Sequence, residues 1–173
     1  MSTVLPNVLN HFNVYNDAEK LIGLNAEVEL PELTMINDTL NGSGVLGEIE
    51  EPVIGQYESM ATTLKWTVLS EEYFSLIDST KPVQLTLRGA VQCTDKETGR
   101  TKFEKLKIVL RGKAKSVNLG TAEKGKKMEA EMEIETVYIK VVINDKTLFE
   151  LDKLNFKYVI NGEDKFEPIR ACI

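Results

Sequence analysis

The sequence contains few of the residues that enzymes and metalloproteins use at their sites, with two cysteines and one histidine among 173 residues. Cys93 and Cys172 fit no metal-ligand spacing, which predicts two free thiols in a protein from a reducing compartment. His11 has no serine or cysteine at a catalytic spacing, so a structural role is favoured over acid–base chemistry. The residues predict neither an enzyme nor a bound cofactor or metal.

Excess positive charge and long apolar runs are also missing. The formal net charge is −6, which argues against a protein that grips nucleic-acid phosphates. No apolar run approaches membrane-spanning length, and the N-terminus lacks a charged segment followed by an apolar one. A soluble cytoplasmic product without a membrane anchor is expected. Hydrophobic content of 42% without an abrupt change in composition predicts one domain over residues 1–173.

Two long strands are predicted within residues 101–144. Apolar or small residues occupy the even positions from Leu106 to Ala114 and alternate with cations, whereas Met128 to Ile134 alternate with glutamates. Joined through the loop 117–126, the strands are expected to pair with Lys115 opposite Glu129, Lys113 opposite Glu131 and Arg111 opposite Glu133. At ~3.3 Å per residue, the first strand spans roughly 50 Å. Part of it should therefore lie outside the core of a single protomer.

Shorter elements complete the pattern. Alternation predicts a hairpin from 11–15 to 26–30 and strands over 57–69 and 83–93, and a run of apolar residues from Leu148 to Ile160 precedes a tight turn at Asn161-Gly162. Ser70 is expected to cap one short helix that buries Tyr73, Phe74 and Ile77. The predicted fold class is all-β, with two packed antiparallel sheets forming a sandwich or partial barrel and one short α-helix.

Two segments lack periodicity. Residues 31–56 form a loop of a length that is usually functional or disordered, and its apolar content favours ordering by another subunit. Residues 1–9 are expected to form an extended arm that packs on a neighbour. The candidate inter-subunit residues are Leu33, Met35, Ile36, Leu40, Val45, Leu46, Ile49 and Val53, with Leu119 from the 117–126 loop.

Two charged stretches allow alternative interpretations. The row from Glu129 to Glu135 could in principle hold a hard cation, but same-face residues of a strand point in parallel, which favours a solvated face. Residues 120–127 are rich in glycine and lysine, yet they lack the spacing and the following helix of a phosphate-binding loop. Both stretches are interpreted as surface.

The order of these motifs resembles the major tail tube protein family of contractile phage tails and R-type bacteriocins. The resemblance covers most of the chain. It rests on Leu-Arg-Gly at 87–89 and 110–112, the run 137–152, the turn 159–164, the strand 11–15, the strand end 27–31 and the late Arg170. The ending Ala171-Cys172-Ile173 departs from the small, glycine-containing ending of the family.

The resemblance implies a structural subunit of a contractile injection system. Hexameric rings would share a continuous β-barrel and stack into a hollow tube, a conduit for DNA or ions that sheath contraction drives through the target envelope. Expected partners are the sheath outside, a tape measure protein and, in a phage, DNA in the lumen, and baseplate and tail-terminating proteins at the ends. The subunit would be made in the bacterial cytoplasm and would function in the virion tail or the bacteriocin particle.

The polar face of the two long strands is the candidate lumen lining. Its residues are Lys105, Lys107, Arg111, Lys113, Lys115, Glu129, Glu131, Glu133 and Glu135. Two alternatives stay open at this point: a type VI secretion tube ring carrying cargo in its lumen, and a monomeric β-barrel that binds a small ligand.

Overall fold

Antiparallel strands make up most of the chain in the computed structural model, which describes residues 4–173 and, of residues 25 and 26, only the backbone. The predicted all-β class with two antiparallel sheets is confirmed. The elements are β1 (Val4–Asn16), β2 (Glu19–Lys20), β3 (Leu24–Glu29), β4 (Met35–Leu40), β5 (Ile49–Tyr57), β6 (Ala61–Trp66), α1 (Glu71–Leu76), β7 (Val83–Asp95), β8 (Thr101–Asn118), β9 (Ala130–Ile143), β10 (Lys146–Asp152), β11 (Lys157–Ile160), β12 (Glu163–Asp164) and α2 (Glu167–Arg170).

Ten strands share one hydrogen-bonded network, and β4 and β5 form the second sheet. The main path runs β12-β11-β10-β9-β8-β7-β1-β2, with β3 and β6 attached at β9. Strand β9 is the branch point, because its first half pairs with β6 and its second half with β10, while β8 lies along its other side. The core lies where these strands diverge.

The core is filled by large side chains from β6 and α1. Leu64, Trp66 and Tyr73 are each 0% exposed, and the Trp66 and Tyr73 rings meet edge to face at 5.0 Å. Ser70 caps α1 as predicted, since its side chain accepts a hydrogen bond from the Tyr73 backbone N–H. The predicted buried face is only partly correct: Tyr73 and Leu76 are buried, whereas Phe74 is 53% exposed.

The predicted register of the β8–β9 hairpin is wrong. Lys113 lies opposite Glu135, four residues beyond the predicted Glu131, and Arg111 lies opposite Tyr138. An even shift keeps apolar residues against apolar residues, so the alternation alone cannot exclude it.

Two bulges account for the rest of the difference. One lies between Arg111 and Gly112. At the same level on β9, the buried residues change from even positions, the last of which is Thr136, to odd positions, the first of which is Ile139. The second leaves Lys115 without an opposite residue, between the pairs of Ala114 and Ser116. Each bulge inserts the extra residue that a change in phase requires.

Three further expectations need correction. Strand β3 pairs with β6, so the predicted hairpin from 11–15 to 26–30 is wrong, and β1 instead turns into the short β2. Residues 31–56 contain a β-hairpin rather than a structureless loop. The predicted arm belongs, over residues 4–9, to β1 and pairs with β7, while residues 1–3 lie outside the described residues.

The predicted excess strand length is present. Strands β7 and β8 stay paired out to Thr94 and Thr101, but β9 ends opposite Leu106. Residues 5–9 of β1, 91–95 of β7 and 101–105 of β8 therefore continue as a three-stranded extension, with the 96–100 turn at its tip. We call this extension, including its tip, the overhang.

Candidate assembly surfaces

The face of β7, β8 and β9 that points away from the core, the polar face, carries the predicted lumen residues. Lys113 lies opposite Glu135, and the Lys115 Nζ is 3.3 Å from Glu133 Oε1 and 3.6 Å from Glu135 Oε2. Ser59 Oγ also donates a hydrogen bond to Glu135. Complementary charges thus meet across the two strands, although the partners differ from those predicted. Because these groups face solvent, salt screens them.

Glu129 does not belong to this row. It precedes β9 and has a φ of 54°, in the left-handed region, so it does not continue the alternation of Glu131, Glu133 and Glu135. Gly120 explains the local turn: a Cβ at this position would lie 2.1 Å from the Met128 carbonyl oxygen. Strand β8 runs on to Asn118, so the connecting loop is 119–129 rather than 117–126.

A charge cluster centred on the buried Glu150 occupies the middle of the polar face. Arg111 stacks over the Tyr138 ring at 4.6 Å, and Tyr138 Oη donates to Glu150 Oε1 at 3.0 Å. Glu150 is buried and also pairs with Lys157 at 3.1 Å and Lys140 at 3.8 Å. Burial, followed by the Glu150 carboxylate, raises the pKa of Tyr138 to about 12. Sequence reasoning missed this cluster because its members come from four strands.

Cations without carboxylate partners lie nearer the overhang. Lys105 and Lys107 are exposed, and among the described residues no carboxylate lies within 4 Å of either. They border an open hollow of about 500 Å³ together with Arg88, His11 and the carboxylate residue Asp145. Arg88 stacks over the Tyr15 ring at 5.3 Å.

A carboxylate fixes the tip of the overhang. Asp95 is buried, forms an ion pair with Lys102, and accepts hydrogen bonds from the backbone N–H groups of Glu97 and Thr98 at 3.0 and 3.1 Å. The Lys102 ammonium and these N–H groups hold the pKa of Asp95 well below its usual range. These contacts fix the turn after β7, which supports the start of β8 at Thr101.

The β4–β5 hairpin is anchored at its base by aromatic contacts. The Tyr57 and Tyr158 hydroxyls are 2.9 Å apart, and both rings meet Phe149 edge to face. Gly55 permits close packing on the other side, since a Cβ there would lie 2.8 Å from the Phe166 ring. The hairpin is thus held in place by the protomer itself.

Most of the predicted inter-subunit residues lie on the exposed part of this hairpin. Met35, Val45 and Val53 are half-buried, and the exposed members are Leu33, Ile36, Leu40, Leu46 and Ile49. Ile54 is exposed as well and was missed, although it directly follows the predicted Val53. Exposed apolar side chains concentrated in this way are typical of an interaction surface. Leu119 is also exposed but lies apart, just after β8.

The edge of β1 is a second open surface. Residues 5–13 pair with β7 on one side, and no second strand pairs with them within residues 4–173. Leu5, Val8 and Leu9 are exposed along this edge, and Phe103 is exposed on the overhang. An unpaired strand edge is a template for pairing with another chain.

The described residues hold no group of three or more histidine, cysteine, aspartate or glutamate side chains able to bind a metal. Cys93 and Cys172 are both free thiols, as predicted. Over residues 4–173, no helix is long and apolar enough to span a membrane. The surfaces described above are the polar face, the hairpin and the β1 edge.

Comparison with known proteins gives a consistent result. A family described as "Phage tail tube protein FII" matches residues 6–173. The chain is 26% identical over 176 residues to the tail tube protein of Escherichia phage P2, covering 98% of each chain.

Two solved structures share the fold. One is a chain from the sheath/tube terminator of an extracellular contractile injection system, PVC, with a TM-score of 0.56, 16% identity, and coverage of 80% of this chain and 96% of that one. The other is from the sheath-tube complex of the same system, with a TM-score of 0.51, 18% identity, and coverage of 80% and 90%.

Proposed function

We propose the following function for this chain, which belongs to the phage tail tube protein FII family: it is the structural subunit of the inner tube of a contractile tail. Six copies close into a ring, and rings stack head to tail into a hollow tube. The tube is a conduit for DNA or ions and is driven through the target envelope when the surrounding sheath contracts.

The observation that carries this proposal is the open β1 edge beside an overhang that extends past the protomer's own core. In a ring, the neighbouring copy pairs with this edge, and the wall closes into a barrel without exposed edges. Ring closure uses one heterologous contact, and stacking uses a second that does not close.

In this arrangement the polar face lines the lumen. The lining residues are Lys107, Arg111, Lys113, Lys115, Glu131, Glu133 and Glu135, and Lys105 lies at the rim where this face meets the overhang. The pairing of Lys115 with Glu133 and Glu135 supports this role, because glutamates set among the cations interrupt the basic surface that a polyanion could bind. The hairpin, the side chains of residues 4–9 and the 119–129 loop contact neighbouring rings, while the backbone edge of β1 pairs within the ring.

The sheath lies outside the tube, a tape measure protein and, in a phage, DNA lie inside it, and baseplate and tail-terminating proteins cap its ends. The names of the two solved relatives, a sheath-tube complex and a sheath/tube terminator, support an outer sheath and a capped end. The subunit is made in the bacterial host and acts in the tail or extracellular particle.

The centre of the fold disfavours the monomeric ligand-binding alternative. Such a protein needs an apolar cavity, whereas the described core is filled by Leu64, Trp66 and Tyr73 at 0% exposure.

Electron microscopy and size-exclusion chromatography of the purified full chain test the proposal. We expect rings or hollow tubes of uniform diameter, with six-fold symmetry in end views. A stable monomer at micromolar concentration, with no rings or tubes across a range of salt concentrations, would refute the proposed function.

A further inference from the structure

Charge is strongly segregated along the chain. Residues 21–64 contain neither lysine nor arginine. Within that stretch, the hairpin segment 31–57 carries five carboxylates, all exposed and none in an ion pair with a described residue: Glu32, Asp38, Glu48, Glu50 and Glu51. The hairpin is therefore both acidic and apolar on its exposed surface.

The overhang has the complementary character. Lys96, Arg100 and Lys105 are exposed and have no carboxylate within 4 Å among the described residues, and Arg88 and Lys107 lie just behind them. Glu97 and Glu104 offset part of this charge, whereas Lys102 is neutralised by Asp95. The exposed apolar residues Leu5, Val8 and Phe103 lie among these cations.

The hairpin is anchored away from the overhang of its own chain. Its base packs on Tyr158 of β11, and the sheet order places β10, β9, β8 and β7 between β11 and β1. Along the sheet, three strand spacings of about 4.8 Å separate β11 from β8, the nearest strand of the overhang, and five separate it from β1, which gives roughly 14 and 24 Å. The acidic, apolar hairpin thus lies on one flank of the sheet, and the basic, apolar overhang lies toward the opposite flank. This arrangement suits a contact between different copies.

The 119–129 loop is a weaker partner for the hairpin. Three lysines against two glutamates give this loop the same net charge as the overhang, so charge within the two surfaces does not distinguish them, but Arg88 and Lys107 add positive charge behind the overhang. The loop also presents fewer exposed apolar side chains than the overhang, with Leu119 as the large one.

We infer that the β4–β5 hairpin of one copy docks on the overhang of a copy in the next ring, through acidic-to-basic pairing around an apolar centre. This inference rests on the proposed tube. It assigns the stacking contact to two surfaces of opposite charge, so stacking is directional and weakens as ionic strength rises.

A charge swap tests the pairing. Reversing Glu48→Lys, Glu50→Lys and Glu51→Lys should shift the protein from sedimenting tubes to soluble rings or subunits, with at least a tenfold rise in the non-sedimenting fraction. Adding Lys96→Glu, Arg100→Glu and Lys105→Glu to that variant should restore tubes. The matched control adds Lys124→Glu, Lys126→Glu and Lys127→Glu in the 119–129 loop, an identical change of charge that should not restore them.

The outcomes separate this inference from the proposed function. If the wild-type chain forms no tubes, the proposed function fails. If wild-type tubes form but the hairpin reversal leaves them intact, or the loop reversals restore them in place of the overhang reversals, only the docking assignment is wrong. Thermal unfolding of the soluble hairpin variant shows whether its fold is retained. If it unfolds at room temperature, the same comparison is made with one substitution on each surface: Glu50→Lys should disperse the tubes, and adding Lys105→Glu should restore them.

Discussion

Replacing Gly112 by alanine should destabilise the protomer strongly, because Gly112 allows β8 and β9 to approach at the first bulge. A Cβ at this position would lie 2.0 Å from the Glu135 carbonyl oxygen and 2.9 Å from Ile134 Cγ2. The strands must separate by about 1.4 Å to restore an ordinary contact of 3.4 Å, which breaks or weakens about two ladder hydrogen bonds at about 1 kcal/mol each. Overpacking of the core adds about 1–3 kcal/mol. The expected loss is about 3–5 kcal/mol.

This loss is large relative to a typical total of about 5–15 kcal/mol for a folded domain. At about 2–4 °C per kcal/mol for a chain of this size, the melting temperature should fall by roughly 6–20 °C. Urea unfolding of the unassembled subunit, monitored through the fluorescence of Trp66, measures the change in the free energy of unfolding.

Gly99→Ala is the control, since it has a φ of +67° but no atom within 4 Å of an added Cβ, and it should cost only about 1–2 kcal/mol. Equal losses in the two variants would refute the close approach at the bulge.

Two further predictions concern the overhang and the open edge. Asp95→Asn should lower the melting temperature at pH 7. The folded state lowers the pKa of Asp95 below its ordinary value of 3.8, so the ionised carboxylate stabilises the fold at any pH above 3.8. That contribution is lost as the pH falls below 3.8, so the difference in melting temperature between variant and wild type should close in acid. A difference that stays constant from pH 7 to pH 2 contradicts this prediction. Val8→Lys should reduce ring formation, because a charge on the β1 edge opposes pairing with a neighbour. Val68→Lys is the control, because Val68 is 52% exposed and Val8 is 55% exposed. Native electrophoresis or native mass spectrometry compares the fraction of rings in the two variants. Equal effects would exclude a special role for the edge.

Alternation in the sequence was sufficient for the identity of the long strands but not for their pairing. A period of two defines which residues face the core, and every even shift preserves that pattern, so Lys113 could face Glu131 or Glu135 equally well. The changes of phase near Val137 and after Ala114 are visible in the sequence. Which strand carries the extra residue at each change depends on tertiary pairing.

The hairpin was missed for a related reason. Neither of its strands lies in the core along most of its length, so its side chains do not alternate between apolar and polar. Only backbone pairing, from Met35 with Tyr57 to Leu40 with Ile49, reveals the strands. The Tyr138 and Glu150 cluster was hidden in another way, because it needs the alignment of four strands that alternation alone does not supply.

The distribution of charge also explains how a subunit with open surfaces can avoid unproductive association. Two hairpins meeting each other would bring their carboxylates together without any cation, and two overhangs would oppose the cations around Lys105. The contact between two hairpins is therefore repulsive, and the contact between two overhangs, which carry both signs of charge, gains less electrostatic attraction than a hairpin meeting an overhang, although each would bury apolar side chains. Contact of a hairpin with an overhang is attractive and leaves one free surface of each kind on the pair. That asymmetry favours growth in one direction over closed dimers, which is the property that a stacked tube requires.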